Sequence, residues 1–305
     1  MSSTTGTTST TGTTPGGTWI LGDRTVPRVG YGAMQLAGPG VMGPPRDHDE
    51  AVAVLREVVA LGVAHVDTSD AYGPQVTNRL IREALHPYPA DLVVATKVGA
   101  RRDAAGGWPT ARRPEELRAQ VRGNLESLGV DALDLVYLRM GDATGPGAGS
   151  LGEAFETLAE LRQEGLIRHL GVSNVTAGQV AEARTIAPVV AVQNMFHLAH
   201  RDDDALVDRL AADGIAFVPF FPLGGFTPLQ SDTLSRVAAE VGATPAAVAL
   251  AWLLHRSPNV LVIPGTSSRA HLRQNVDAAA LRLTGEQLAD LDAIGRRAAL
   301  PPGRA

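Results

Sequence analysis

The stretch Val66-Asp67-Thr68-Ser69-Asp70-Ala71-Tyr72-Gly73 begins as an apolar strand and breaks directly into a polar loop. Short apolar runs that end in this way recur and predict eight strands, over residues 28–34, 64–68, 92–97, 133–139, 169–173, 189–193, 216–221 and 260–264. Amphipathic segments with helical periodicity separate them, and several end at a glycine. Alternating strands and helices favour a parallel sheet with right-handed crossovers.

Eight strand–helix units within about 250 residues fit a (β/α)8 TIM barrel, an α/β fold. Residues 18–26, which turn at Gly22-Asp23, predict an N-terminal β-hairpin, and the segments 245–255 and 285–296 predict two extra helices. A doubly wound open sheet is the competing fold, but no Gly-x-Gly-x-x-Gly follows the first strand. We therefore predict one barrel domain over residues 18–300 after a tail, residues 1–17.

Composition restricts the function further. The tail is almost entirely Ser, Thr and Gly, which favours disorder and lacks the regions of a signal peptide. The net charge of -5 argues against a nucleic-acid surface, and no apolar run approaches the ~20 residues of a membrane helix. There is no cysteine, which fits a reducing compartment. We expect a cytoplasmic monomer or weak oligomer that binds neither nucleic acid nor membranes.

Charged residues end three of the apolar strands: Asp67, Lys97 and Arg139. In a barrel these ends meet at the active-site face, where unpaired buried charge is costly. Tyr72 follows Asp67 in the loop. A tyrosine hydroxyl, with an unperturbed pKa of about 10, becomes a better acid beside an ammonium group. The set suits carbonyl reduction, because the new alkoxide must be protonated; singly, each residue could be a turn cap, rim packing or a solvated strand end.

The residues resemble the aldo-keto reductase family. The matching stretches run in family order from about Trp19 to Arg297: Val29–Met34, His65–Thr68 with Tyr72-Gly73, Ala95–Lys97, Ile167–Asn174, Val192–Asn194, and Ile263–Thr266 leading to Asn275. Within the family, residues 32–43 and 218–229 resemble a bacterial branch that includes pyridoxal reductases. The resemblance implies NADPH-dependent reduction of an aldehyde, with pyridoxal as the first substrate to test.

The resemblance also implies roles. Tyr72 would be the general acid, Lys97 would make it more acidic, and Asp67 would neutralise and orient Lys97. Ser173, Asn174 and Gln193 would bind the nicotinamide carboxamide, and Phe220 would stack on its ring, where the family more often has tyrosine or tryptophan. No metal is expected. The implied cofactor-binding set is Gly32, Ala33, Met34, Asp67, Ser173, Asn174, Gln193, Phe220, Phe221, Pro222, Leu223, Gly265, Thr266, Ser267, His271, Gln274 and Asn275.

The segment expected to bind the adenosine end of the coenzyme departs from the family pattern. It should lie on residues 265–275, where a helix starting near Ser268 suits a phosphate. Gly265 stands where some members have lysine, and His271 where others have arginine, which weakens the expectation of NADP(H) over NAD(H). Arg269 and Arg273 could supply the missing charge or be solvated helix surface.

The fourth catalytic position departs most. The family usually has histidine after the run at residues 134–138, and here Arg139 stands there. Arginine cannot exchange a proton at neutral pH, but it can place positive charge where the alkoxide forms. We hypothesise that Arg139 is an electrostatic clamp; the alternative is that it pairs with Asp142 or Asp67.

The substrate pocket is less readable. Candidates for an aromatic, apolar wall are Met34, Trp108, Met195, Phe196 and Phe226, and candidates for binding a substrate phenolate or phosphate are Arg101, Arg102, Arg112 and Arg113. Each has an ordinary explanation in packing or solvation. A reductase of other aldehydes or ketones, and an NADP-binding regulatory barrel like potassium-channel β subunits, remain as alternatives, with a phosphate-binding lyase barrel a distant third.

Overall fold

The computed structural model describes residues 14–142, 145–225 and 229–298. Its strands are β1 (Thr18–Leu21), β2 (Arg24–Pro27), β3 (Tyr31–Gly32), β4 (His65–Asp67), β5 (Val93–Ala100), β6 (Thr110–Ala111), β7 (Leu133–Arg139), β8 (Ile167–Ser173), β9 (Val189–Gln193) and β10 (Ala216–Phe217). Its helices are α1 (His48–Ala60), α2 (Val76–Leu85), α3 (Pro114–Leu128), α4 (Gly152–Gln163), α5 (Ala177–Ile186), α6 (Asp204–Ala212), α7 (Asp232–Glu240), α8 (Pro245–Arg256), α9 (Arg269–Asp277) and α10 (Gly285–Ala298).

The parallel strands form one sheet in the order β10-β9-β8-β7-β5-β4-β3. Residues 260–264 join its two edges, because Val262 bridges to Val29 and Val260 bridges to Phe217. The Gly30 amide donates to Val262 O at 2.8 Å, and the Leu261 amide donates to Phe217 O at 2.9 Å. The eighth predicted strand is therefore present as bridges that close the ring, and the predicted (β/α)8 barrel is confirmed.

Two predicted strands are shorter than expected. Residues 33–36 leave the first strand as a 3₁₀ helix, and β10 stops at Phe217. Beyond it the chain keeps touching its neighbour, with the Val218 amide on Val192 O at 2.8 Å. Phe221 then adopts a left-handed φ of 53°, which extended backbone does not allow.

The β1–β2 hairpin closes the N-terminal end of the barrel. Its buried residues Leu21 and Val26 belong to the same apolar cluster as Val93 at the start of β5. A second, larger cluster fills the layer between the sheet and the surrounding helices. With one end closed in this way, the C-terminal ends of the strands form the open face of the barrel.

Part of the predicted tail contacts the barrel. Gly16 O accepts a 3.0 Å hydrogen bond from Arg28, whose buried guanidinium also donates to Leu254 O and Ser257 O. Residues 1–13 and 299–305 lie outside the described residues. Within the described residues no single helix has the length and apolarity to cross a membrane; α7 and α8 pass that test only as a pair, bent by 91°.

Candidate active site

Strand register brings the predicted polar residues to one cavity. Asp67 aligns with Ala95 of β5, Lys97 with Tyr137 of β7, and Arg139 with Ser173 of β8. Ser173 in turn aligns with Gln193 of β9. Aligned residues of neighbouring parallel strands point to the same face of the sheet. Asp67, Lys97, Arg139, Ser173 and Gln193 all line the cavity at the open end of the barrel.

A buried ion pair lies at the base of this cavity. Lys97 Nζ pairs with Asp67 Oδ1 and donates to Thr68 O at 3.1 Å. Gln193 Nε2 donates to the other carboxylate oxygen, Asp67 Oδ2, at 2.8 Å. Burial alone lowers the pKa of Lys97, but the charges and hydrogen bonds of Asp67 and Tyr72 outweigh it, and the net pKa is raised. Lys97 therefore keeps its charge at neutral pH.

Tyr72 stands between this ion pair and an aromatic wall. Its ring is buried, with Lys97 Nζ 5.2 Å from the ring centroid. Trp108 meets the ring edge-on at 6.3 Å. The hydroxyl therefore belongs to a ring that is held from two sides and has an ammonium group next to it.

Arg139 lies against the same tryptophan. Its guanidinium is 5.3 Å from the Trp108 ring, and its Nε donates to Gly141 O at 3.2 Å. Asp67 uses its two oxygens on Lys97 and Gln193, which disfavours the predicted alternative of an Arg139–Asp67 pair. Arg139 thus places a permanent positive charge in the cavity wall.

The cavity has a volume of about 760 Å³. Of the predicted site residues, those that line it are Gly32, Met34, Asp67, Tyr72, Lys97, Arg139, Ser173, Gln193, Phe220, Phe221, Pro222, Leu223 and Gly265. Those that do not line it are Ala33, Asn174, Thr266, Ser267, His271, Gln274 and Asn275. The residues that line the cavity surround the place where the chemistry would occur. Most of the residues that do not line it belong to α9 or to the loop that leads to it.

The residues that line the cavity fit a nicotinamide. Gln193 Oε1 is buried and has no hydrogen-bond partner among the described residues, so it can accept from a carboxamide NH2. Phe220 lines the cavity and meets Phe221 edge-on at 5.3 Å. Asn174 is less available to bind the carboxamide, because its side chain donates to Asp142 O.

The start of α9, where a phosphate was expected, is capped and paired by protein groups. Ser268 caps α9 by accepting from the His271 amide, and Thr266 Oγ1 accepts from the Ser268 amide at 3.1 Å. Glu50 Oε1, from α1, accepts from both the amide and Nε of Arg269 at 3.4 and 3.3 Å. Arg273 similarly pairs with Glu57. Both arginines expected to supply charge are therefore ion-paired with α1 rather than simply solvated.

Steric crowding explains why position 265 is a glycine. A Cβ there would lie 2.8 Å from Gly32 O, at the seam where residues 260–264 close the barrel. The lysine found here in some family members would need this seam to move.

Several pocket residues differ from expectation. Met34 and Trp108 line the cavity, but Phe196 is fully buried between Phe217 and Trp252, and Met195 is not part of the lining. Phe226 lies outside the described residues. Sequence reasoning missed Glu50 and the lining residues Leu234, Pro245, Ala246 and Ala249 of α7 and α8. These residues were missed because the sequence of α7 and α8 is that of ordinary amphipathic helices. Glu50 looks like any acidic residue in the first turn of a helix.

Comparisons with known proteins agree with this geometry. A model described as "Aldo/keto reductase family" matches residues 28–296. The chain is 62% identical to pyridoxine 4-dehydrogenase of Escherichia coli (strain K12), over 92% of this chain and 98% of that protein. It is 38% identical to an uncharacterized oxidoreductase of Schizosaccharomyces pombe, over 92% and 90% of the two chains.

Solved structures of the same family share the fold. A thermostable aldo-keto reductase in complex with the inhibitor epalrestat superimposes with a TM-score of 0.78 at 30% identity, over 91% of this chain and 99% of that one. An aldo-keto reductase from Klebsiella pneumoniae in complex with NADPH gives a TM-score of 0.77 at 26% identity, over 94% and 96%.

Proposed function

The chain belongs to the aldo/keto reductase family and is an NADP-dependent oxidoreductase acting on CH–OH groups, and we propose that its substrate pair is pyridoxal and pyridoxine. One observation carries the chemistry: the buried Asp67–Lys97 pair lies directly beside Tyr72 in the cavity at the open end of the barrel. The 62% identity to a pyridoxine 4-dehydrogenase supports this substrate.

Proton delivery falls to Tyr72. The Lys97 ammonium, with its raised pKa, stays charged and favours the phenolate form of the neighbouring ring. Release of the hydroxyl proton to a substrate oxygen is thereby made easier. Lys97 and Asp67 are both buried, and the attraction between their charges offsets part of the desolvation penalty of the ammonium.

NADPH, when bound, would supply the hydride that the carbonyl carbon receives. Gln193 Oε1 would hold the carboxamide, and Phe220 would fix which face of the ring points towards the substrate. The amides at the start of α9 would take the adenosine phosphate. These residues orient the two reactants, which is where much of the rate enhancement in such a reaction arises.

Arg139 would act as the electrostatic clamp. Its guanidinium, fixed by Gly141 O and Trp108, puts positive charge on the side of the cavity where the substrate oxygen becomes negative. It remains protonated throughout, so it does not compete with Tyr72 as proton donor.

We propose that the protein is cytoplasmic, which a chain without cysteine fits, and that it is a monomer or a weak oligomer. The regulatory alternative would call for an extended apolar surface. In the described part of the chain, the large hydrophobic side chains that are exposed are Ile20 and Leu61, from separate elements. Size-exclusion chromatography with light scattering measures the oligomeric state.

The test is NADPH oxidation, followed by its absorbance, across a panel of aldehydes that includes pyridoxal. We expect pyridoxal to give the highest kcat/KM and NADH to be a poor substitute. Good turnover of other aldehydes with none on pyridoxal would remove the substrate assignment. Equal rates with the two coenzymes would contradict the NADPH preference.

A further inference from the structure

We infer that Arg139 selects aromatic aldehydes that carry an ionised hydroxyl on the ring carbon next to the aldehyde. This inference rests on the proposed function and gives it a substrate class. Pyridoxal belongs to this class, since its ring hydroxyl is adjacent to the aldehyde and ionises readily beside the ring nitrogen. The site would therefore recognise an oxyanion in addition to the carbonyl.

The cavity holds few groups that could meet such an anion. Its walls are largely apolar or aromatic, with Met34, Trp108, Phe220 and Phe221 among them. An anion moved into such a wall is strongly disfavoured unless it is paired. The charged residues of the lining are Asp67, Lys97, Arg139 and Asp142.

Of the two lining cations, Lys97 is already committed. Its ammonium is paired with Asp67 and also donates to Thr68 O. Among the described residues, the Arg139 guanidinium contacts a carbonyl, Gly141 O, and the Trp108 ring. Neither contact cancels its charge, so Arg139 is the lining cation that can pair with a substrate anion.

Of the other arginines considered from the sequence, Arg101 does not line the cavity, and the remaining three are engaged elsewhere. Arg102 donates to Gly40 O at 2.6 Å and covers Trp108 at 4.2 Å. Arg112 donates to Met140 O at 3.0 Å, and Arg113 pairs with Glu115 and Glu116. None of these guanidinium groups belongs to the cavity lining in the described structure.

Trp108 sets the relative positions of Arg139 and Tyr72. Both side chains contact this one indole, the guanidinium at 5.3 Å and the phenol ring at 6.3 Å. An aldehyde oxygen on the Tyr72 hydroxyl would then turn the adjacent ring substituent towards Arg139. A guanidinium presents a planar fork of donors, which suits two neighbouring oxygens on one ligand.

This role also explains why arginine replaces the usual histidine. When hydride arrives, the carbonyl oxygen gains negative charge beside an oxygen that is already negative. A neutral imidazole would leave the two charges repelling each other in a cavity of low dielectric constant. A permanently charged guanidinium offsets that repulsion whatever the pH.

The test compares 2-hydroxybenzaldehyde with its methyl ether, 2-methoxybenzaldehyde, in the wild type, Arg139→Gln and Arg139→Lys. Arg139→Gln is expected to lower kcat/KM for both aldehydes, but by about 10- to 100-fold more for the hydroxy compound. The quantity compared is the ratio of kcat/KM for the hydroxy aldehyde to kcat/KM for the methoxy aldehyde. Because each enzyme is tested with the same two aldehydes, differences in their intrinsic reactivity cancel. Arg139→Lys, which keeps the charge, should keep part of the preference.

A binding measurement separates this role from a general effect on catalysis. The unreactive analogue 4-deoxypyridoxine keeps the ring hydroxyl, and its Kd in the presence of NADP+ should rise about tenfold or more in Arg139→Gln. An equal fall of kcat/KM on both aldehydes, or an unchanged Kd, overturns the inference. Melting temperatures confirm that the variants are folded.

The two proposals fail in different ways. Wild-type turnover of pyridoxal with an unchanged hydroxy-to-methoxy ratio in Arg139→Gln rejects the anion site and keeps the pyridoxal assignment. A strong Arg139-dependent preference for 2-hydroxybenzaldehyde without turnover of pyridoxal rejects the assignment and keeps the anion site.

Discussion

Gln193 reaches across the barrel to Asp67: its Nε2 donates to Oδ2 at 2.8 Å, although β9 and β4 are separated by three strands of the sheet. This contact fixes the carboxylate so that the other oxygen faces Lys97. The same amide leaves its Oε1 without a protein partner. One side chain therefore joins the ion pair to the proposed nicotinamide position.

Replacing Gln193 with leucine should affect both functions of the amide. Asp67 Oδ2 loses its donor in a buried position, and we expect the free energy of unfolding to fall by about 1–3 kcal/mol. The Kd of NADPH, measured by fluorescence quenching, should rise because the carboxamide loses its acceptor. An unchanged Kd would place the nicotinamide elsewhere, even if the stability falls as expected.

Tyr72→Phe should remove the proton donor but keep the ring between Lys97 and Trp108. We expect kcat to fall by about 10²- to 10⁴-fold, with the Kd of NADPH nearly unchanged. Tyr88→Phe is the matched control, because that hydroxyl also makes a hydrogen bond, to Leu128 O at 2.7 Å, but is absent from the cavity lining. Similar kcat losses in both variants would rule out a specific role for Tyr72.

Glu50→Gln should strengthen NADPH binding. The Glu50 carboxylate now accepts from the amide and side chain of Arg269 at the start of α9, where a phosphate would compete with it. Neutralising Glu50 removes that competition, so the Kd of NADPH should fall several-fold and that of NADH should change little.

Arg269→Gln is the converse variant and should weaken the binding of NADPH more than that of NADH. Isothermal titration with both coenzymes measures each effect. Equal changes for NADPH and NADH would show that the 2′-phosphate does not reach this pair.

Asp70 predicts an unusual pH dependence of stability. Burial raises its pKa from 3.8 to about 7, although hydrogen bonds from Ser69 and the Ala71 backbone act in the opposite direction. The native pKa lies above the unfolded one, so the native state holds the extra proton between about pH 4 and 7. The contribution of this group to stability is full below that window and is lost as the pH rises through it.

Asp70→Asn should therefore stabilise the protein by about 1–3 kcal/mol near pH 8, and by much less near pH 5. Urea unfolding at the two pH values measures the difference. In Asp70→Asn, His65 should dominate the dependence of stability on pH. Burial lowers the pKa of His65 from 6.5 to about 4, so the free energy of unfolding rises as the pH rises between these two values. A stabilisation equal at both pH values would contradict the ionisation of Asp70 in this pH range.

Local patterns in the sequence predicted the regular elements well. Strand β7 has the predicted bounds, 133–139, and the predicted extra helix at 285–296 is present as α10, because a mostly apolar run and a helical periodicity are local signals. Asp67, Lys97 and Gln193, which belong to the family motifs, line one cavity together with Arg139, as expected. These features depend on residues that are close in sequence or on the regular geometry of a barrel.

Contacts over long sequence separations were not predictable. The Glu50–Arg269 pair joins residues 219 positions apart, and nothing local distinguishes Glu50 from a helix-start carboxylate. Trp108 reaches Tyr72 through the irregular segment after β5, whose path no periodicity specifies. Phe196 was a candidate for either the cavity wall or the core and lies in the core, because an aromatic residue after a strand suits either place.

The hairpin that closes the N-terminal end of the barrel also decides where additions to this protein can go. Residues 14–17 lead into β1 on that closed side, where Gly16 packs against Ala279 and accepts from Arg28. A fusion partner or affinity tag placed ahead of them would be carried on the opposite side of the barrel from the mouth through which aldehydes enter. Immobilising the enzyme by this end should leave its turnover intact.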